Sequence, residues 1–342
     1  VPPRAATTRD DPVTRAGWRV AVPAGVTALL LAATAAVGWT WYSPDGRIGS
    51  SGSAPFSTAT SSDPPHSPGE PTEAAVLPVP GVRFATVSYG PHPDQLLDVH
   101  LPPGPGPHPV LLWIHGGGWA DGSRADDTAV WQRYADDMAV VSVGYRLAPE
   151  ATWPAQGDDV TAAIEWVHGP GAEAIGLDGD RLVVAGWSAG GHLAAWAGMT
   201  SSPGTVDAVV SLSGALVVAP TGAYGSFVDQ AAADMLGGQP AGGADPGLLA
   251  EAGDPPILLQ HGTGDRTVPA RITDTATRRL RAAGVPVQVE IVERDHPYVL
   301  TPTVDAFVAD ALAGDDATGE ERTPIPYAGG SPAPVRAPDT PA

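Results

Sequence analysis

Gly186-Trp187-Ser188-Ala189-Gly190 is the stretch on which the reading of this chain turns. It follows the apolar run Leu182-Val183-Val184-Ala185 and opens the small-residue run Gly191-His192-Leu193-Ala194-Ala195-Trp196-Ala197. Those residues dictate strand, sharp turn, helix. A G-x-S-x-G pentapeptide in that setting is a nucleophile elbow. Its glycines remove Cβ atoms where a helix packs back on a strand across a tight turn. Its serine adopts a strained backbone that lifts the hydroxyl over the sheet edge.

Around the elbow, strand-like and helix-like stretches alternate. Residues 82–89 and 96–101 read as an opening hairpin. Residues 110–115 are a continuous apolar run, as in a strand buried on both faces. A helix is expected over 128–136, a buried strand over 139–144, and a helix over 157–167, where Val160, Ile164 and Val167 recur at helical spacing. Strands at 181–186 and 206–212 flank the elbow helix. Strand 256–260, helix 270–283, strand 286–292 and helix 303–312 complete the pattern. Such alternation specifies an α/β domain with a mostly parallel central sheet and helices on both faces. Residues 215–254 break the rhythm with Gly and Ala and read as a loop or small helical excursion over the site.

A serine hydroxyl needs a base to act as a nucleophile near neutral pH, and histidine is the usual one. In folds built on this elbow the acid and then the histidine follow the serine in sequence. His261 and His296 are the histidines well downstream of Ser188. His261 ends a strand beside Gly262, which favours a structural role. His296 follows the last expected strand, on a loop that reaches the carboxyl edge where the elbow points, and is the expected base. The acid should leave the preceding strand at the same edge. Asp265 in His261-Gly262-Thr263-Gly264-Asp265 stands there, with Asp295 as a rival whose side chain should diverge from its neighbour His296. The oxyanion needs donors already in place. His115-Gly116-Gly117-Gly118-Trp119 follows the 110–114 strand, and glycine lets backbone N–H groups approach a ligand closely. The N–H groups of Gly117, Gly118 and Ala189 are the expected oxyanion hole. Trp119 and Trp187 are the candidates for lining a substrate pocket.

Taken together, the chain resembles the α/β-hydrolase esterases of the hormone-sensitive-lipase-like and feruloyl-esterase-like groups. The matching stretches are 115–119, Gly144-Tyr145-Arg146-Leu147-Ala148-Pro149-Glu150, Trp153-Pro154-Ala155 with Asp159, 186–193, 255–269 and Asp295-His296. They run in the right order over most of 80–300. The resemblance implies an α/β-hydrolase fold and a carboxylesterase-type serine hydrolase acting on a small-molecule ester, with Ser188, Asp265 and His296 as the triad. It requires no metal and no cofactor. Tyr145 to Glu150, Asp159 and His115 carry over as structural supports. His-Gly-Gly-x-Trp also occurs in arylformamidases, so a formamidase, peptidase or acyltransferase on the same triad is an alternative. A non-catalytic surface binding module is a more distant one. After His296, Pro297 stands where glycine is commoner in the family.

Composition narrows the classes further. The chain has no cysteine, which excludes disulfides, thiolate zinc sites and a cysteine nucleophile. A formal net charge of −20 argues against a nucleic-acid partner, which needs a basic face.

Residues 1–19 are polar and carry Arg4, Arg9, Arg15 and Arg19. Residues 20–42 contain no charged side chain and end in Trp39, Trp41 and Tyr42. At about 1.5 Å per residue such a stretch crosses an apolar bilayer core of about 30 Å. The flanking arginines put residues 1–19 in the cytoplasm. Two readings compete for 20–42: a transmembrane signal anchor, or a cleaved signal peptide. The expected location is the cell membrane with an extracytoplasmic catalytic domain, or secretion if the segment is cleaved. Residues 43–75 read as a disordered Ser/Pro/Gly linker, 76–314 as the catalytic domain and 315–342 as a disordered tail.

Overall fold

The computed structural model describes residues 83–126, 128–218, 224–225 and 227–313. The expected membrane segment at 20–42, the linker and the C-terminal tail lie outside the described residues. Among the described residues, no helix is long and apolar enough to cross a membrane.

The strands are β1 (Phe84–Ser88), β2 (Leu96–His100), β3 (His108–Ile114), β4 (Ala139–Val143), β5 (Leu177–Trp187), β6 (Ala208–Leu212), β7 (Ile257–Gly262) and β8 (Val287–Val292). They form one sheet in the order β1-β2-β4-β3-β5-β6-β7-β8. β1 and β2 pair antiparallel, β2 is antiparallel to β4, and every pairing from β4 through β8 is parallel. The expected mostly parallel sheet is therefore the one the chain forms.

Strand periodicity sorts the core into two layers. Val110, Leu112 and Ile114 point to one face of β3, and Leu111 and Trp113 to the other. The first face is covered by α2 (Ala155–Val167), α3 (Pro170–Ala174), α4 (Ala189–Thr200), α5 (Phe227–Leu236) and α7 (Arg271–Ala283). The second is covered by α1 (Thr128–Tyr134) and α8 (Pro302–Leu312). Helices thus lie on both faces. Local chemistry marks their ends. Thr301 caps α8 by accepting the Val304 N–H, with Pro302 in the first turn. Gly284 ends α7 at φ +95°, the left-handed geometry that glycine adopts without strain.

The start of β5 and the short helix α3 differ from the sequence expectation. β5 begins at Leu177 rather than 181, because its Asp178-Gly179-Asp180 bulge keeps the chain in the sheet. The Asp178 carboxylate accepts from Arg181 Nε at 2.6 Å across that bulge. The break at 215–254 is a helical excursion: α5, a 3-10 turn (Ala241–Ala244) and α6 (Pro246–Leu249).

Candidate active site

Four parallel strands deliver the site at their carboxyl edge: β3 leads into the glycine loop, β5 into the elbow, β7 into Asp265 and β8 into His296.

At the elbow, Ser188 has φ 55° and ψ −116°, a conformation L residues rarely hold, and it immediately precedes α4. The flanking glycines follow from space alone. A Cβ on Gly186 would lie 2.4 Å from the Gly190 carbonyl oxygen, and one on Gly190 would lie 2.0 Å from the Ile114 carbonyl oxygen. Both contacts are to backbone, which cannot give way. Gly190→Ala is therefore expected to cost about 3 kcal/mol or more as overpacking. Denaturant unfolding of the variant would check this; a wild-type midpoint would contradict it.

Ser188 is 8 % exposed, so its hydroxyl is sheltered yet reachable. His296 Nε2 lies 2.9 Å from Ser188 Oγ, and His296 Nδ1 lies 2.7 Å from Asp265 Oδ2. Asp265 Oδ1 accepts the N–H groups of Thr267 at 2.9 Å and Val268 at 2.8 Å. Burial pushes the Asp265 carboxyl up. Hydrogen bonds from His261 and His296, the His296 charge and the Val268 N–H outweigh burial and hold it below the usual carboxylate range. Asp265, not Asp295, is the carboxylate that meets the imidazole. Asp295 is exposed, and its Oδ1 lies over Gly264.

The glycine loop is shaped by three successive positive φ angles, at Gly117 (109°), Gly118 (61°) and Trp119 (61°). A Cβ on Gly117 would meet the Asp121 carbonyl oxygen at 2.0 Å, and one on Gly116 would meet the Trp187 ring at 2.7 Å. His115 braces the loop from below. Its ring stacks on Tyr145 at 4.4 Å, and the Tyr145 hydroxyl donates to the His115 carbonyl. Asp159, wholly buried, accepts from the Arg146 side chain and N–H and from Gln95 Nε2. Across from the loop, Ala189 opens α4, where the first N–H groups of a helix have no intrahelical acceptor.

The tryptophans part company. Trp187 is half-buried at the site. Its Nε1 donates to the His296 carbonyl at 3.0 Å, and its ring lies 5.3 Å from the imidazole. Trp119 corrects the expectation that it lines a pocket. Its side chain has no solvent exposure, and its Nε1 donates to His192 Nδ1 at 3.1 Å. It holds the glycine loop from the core side.

His192 had no distinct signal in the sequence beyond following the elbow. It is fully buried, and Nε2 lies 2.6 Å from the Ala244 carbonyl, so that nitrogen carries the proton and Nδ1 accepts from Trp119. One ring thereby joins the glycine loop, α4 and the excursion. Trp196 Nε1 and the Trp153 N–H add bonds to the Gly243 and Met235 carbonyls. Burial lowers the His192 pKa to about 4, against a raising contribution from the Ala244 hydrogen bond. The neutral form is the folded one. Its stabilisation is complete above about pH 6.5 and is lost as pH falls from there toward about 4. That window corresponds to about 3 kcal/mol. His192→Gln, which keeps a donor and an acceptor but does not titrate, should flatten much of the loss of melting temperature between pH 7 and pH 4.5. His100, also lowered by burial, accounts for a remainder of the same sign. An unchanged slope in the variant would refute the assignment.

Comparison with known proteins places this geometry in context. The sequence profile of the BD-FAE family matches residues 97–280, more than half of the chain. Esterase LipC of Mycobacterium tuberculosis (strain ATCC 25618 / H37Rv) is 34% identical over 229 residues, 59% of this chain and 56% of LipC. Esterase LipQ of the same strain is 29% identical over 288 residues, 72% of this chain and 68% of LipQ. The chain thus spans little more than half of LipC's own length. The crystal structure of esterase LipW from Mycobacterium marinum superposes with a TM-score of 0.58 at 28% identity, covering 68% of this chain and 81% of LipW.

Proposed function

The chain belongs to the BD-FAE family within the α/β-hydrolase esterases, and from that premise we propose that it is a serine hydrolase cleaving carboxylic esters of small or medium acyl groups. The observation that carries the reading is the continuous line Ser188 Oγ, His296 Nε2, His296 Nδ1, Asp265 Oδ2, with both links at hydrogen-bond length. The esterase names of LipC, LipQ and LipW support the substrate class.

In this mechanism Ser188 Oγ attacks the acyl carbon as His296 Nε2 takes the hydroxyl proton. The carbonyl oxygen becomes an oxyanion held by the N–H groups of Gly117, Gly118 and Ala189. Each such donor is worth roughly 10²–10³ in rate. Collapse of the tetrahedral intermediate breaks the ester C–O bond, and the imidazolium gives its proton to the departing alcohol. Water then attacks the acyl-enzyme with His296 again as base. The acid leaves and Ser188 regains its proton. Asp265 keeps Nδ1 protonated throughout, so Nε2 is free to accept. Trp187, beside the imidazole, is the side chain we assign to the rim of the substrate pocket.

A series of p-nitrophenyl acyl esters on the full chain, run beside N-formyl amides and peptides, tests the bond specificity. Esters should turn over far faster. Preference for an N-formyl amide or a peptide would move the reading to a formamidase or peptidase. Failure of a fluorophosphonate to modify Ser188 would leave a binding module. We further propose that this domain works outside the cytoplasm, tethered through residues 20–42. Support comes from the sequence of that segment alone, and the mass of the mature cell-associated protein tests it.

A further inference from the structure

The proposed mechanism leaves one buried titratable side chain beside the triad without a role. His261 is the penultimate residue of β7, has no solvent exposure, and lies against the same carboxylate oxygen that His296 uses. Its Nε2 is 2.7 Å from the Val268 carbonyl and 3.3 Å from Asp265 Oδ2. Neither partner has a hydrogen to give, since a carbonyl and an ionised carboxylate only accept. Nε2 therefore carries the proton, with the Val268 carbonyl as its hydrogen-bond acceptor and Asp265 Oδ2 at a longer electrostatic contact. On the far side of the ring, Nδ1 is 2.6 Å from Thr273 Oγ1, and with the ring hydrogen on Nε2 it accepts the hydroxyl hydrogen. The result is a chain of polar contacts running from Thr273 through His261, Asp265 and His296 to Ser188.

We infer that His261 is a positioning residue for the acid of the triad. Asp265 sits on a loop, and so does His296. His261 is on β7, paired on both sides by β6 and β8, and Thr273 is on α7, so the pair ties a loop-borne carboxylate to two regular elements. The Thr267 and Val268 N–H groups anchor Oδ1 alone. Rotation about that anchor would swing Oδ2 away from His296, and the His261 Nε2–H facing it at 3.3 Å is the second polar group that holds it. The charged side chains next along these loops, Arg266 and Asp295, are exposed. Both imidazoles stand against Oδ2, His296 through a 2.7 Å hydrogen bond and His261 with its Nε2 at 3.3 Å, so both draw on its charge. Removing the His261 donor leaves Oδ2 a stronger acceptor for His296 and favours the imidazolium. It also leaves the carboxylate less constrained.

This inference rests on the hydrolytic reading above, so its test begins with the full-length wild-type chain. Hydrolysis of p-nitrophenyl acetate and fluorophosphonate labelling of Ser188 establish that reading. If both are absent, the reading fails, whatever His261 does. In an active protein, His261→Leu, which keeps volume but removes the donor, should lower kcat about 10–100-fold with KM little changed. The acidic limb of its pH profile for kcat/KM should move up by about 0.5–1 unit. His261→Gln, whose amide N–H replaces the Nε2 donor, should recover most of the rate and the wild-type limb. A merely structural histidine would lower melting temperature without moving the limb. If the Leu variant does not fold, Thr273→Val carries the test: an upward limb supports the inference and a wild-type limb overturns it. A folded His261→Leu variant with wild-type kcat and limb, or a Gln variant no better than Leu, also overturns it.

Discussion

Ser188→Ala is expected to lower kcat on p-nitrophenyl esters by about 10⁶-fold while leaving the fold intact. The loss follows from removing the atom that forms the covalent bond. The proposed oxyanion donors at Gly117, Gly118 and Ala189 remain, so a residual acceleration of about 10³–10⁴ over water is expected. Stability should change little. The positive φ of Ser188 strains alanine as much as serine, and the hydroxyl's hydrogen bond is to His296, which can turn to water. The elbow is held by other groups: Ser188 N–H donates to the Leu212 carbonyl, and the Ser188 carbonyl accepts from His192 N–H. Rates on a series of esters, with melting temperature alongside, test this. Turnover within about a hundredfold of wild type would remove Ser188 from the mechanism.

The features most legible in the sequence are those where backbone geometry leaves one residue type possible. Gly186 and Gly190 face carbonyl oxygens at distances no Cβ tolerates, and Gly117 combines such a contact with φ +109°. Hence the G-x-S-x-G and glycine-loop patterns were readable as shapes. The largely apolar runs of β3, β4 and β6 were equally readable, because strands buried on both faces admit few polar side chains, here the small Ser142 and Ser211. The N-terminal part of β5 was not, since Asp178-Gly179-Asp180 has the composition of a turn and is kept in the sheet by a bulge and an ion pair.

Side-chain direction was the harder problem. Trp119 follows the three glycines of the proposed oxyanion loop, so its position in sequence argued for the pocket. Its own positive φ instead turns the indole under the loop and onto His192. His192 and His261 illustrate the same limit. Each is a single histidine outside any recognisable pairing pattern, and its partners, Ala244 and Trp119 in one case and Thr273 and Asp265 in the other, come from remote or loop residues. Only the packing of the excursion on α4, and of α7 on β7, brings those partners together. The site therefore has a layer that motifs encode and a supporting layer that tertiary contacts create.

The same layering makes Asp265→Asn the more discriminating substitution. The native carboxylate accepts at both oxygens: Oδ1 from the Thr267 and Val268 N–H groups, Oδ2 from His296, with His261 Nε2 facing Oδ2 at 3.3 Å. An amide must point its NH₂ at one of these pairs. Facing the backbone would leave two N–H donors unpaired, and these cannot change their chemistry, so each would cost about 1–3 kcal/mol. Facing the histidines is the cheaper choice, because a ring can change tautomer. His296 would then present a bare Nδ1 to the amide and carry its hydrogen on Nε2, where Ser188 needs an acceptor. The expected result is a fall in kcat of about 10⁴ with the serine still in place. Fluorophosphonate labelling of Ser188 should slow in parallel, since it too needs the Nε2 base. Asp295→Asn supplies the control: that exposed carboxylate sits over Gly264, away from the imidazole, and its loss should leave kcat near wild type. A large loss at Asp295 with normal turnover in Asp265→Asn would exchange the two assignments.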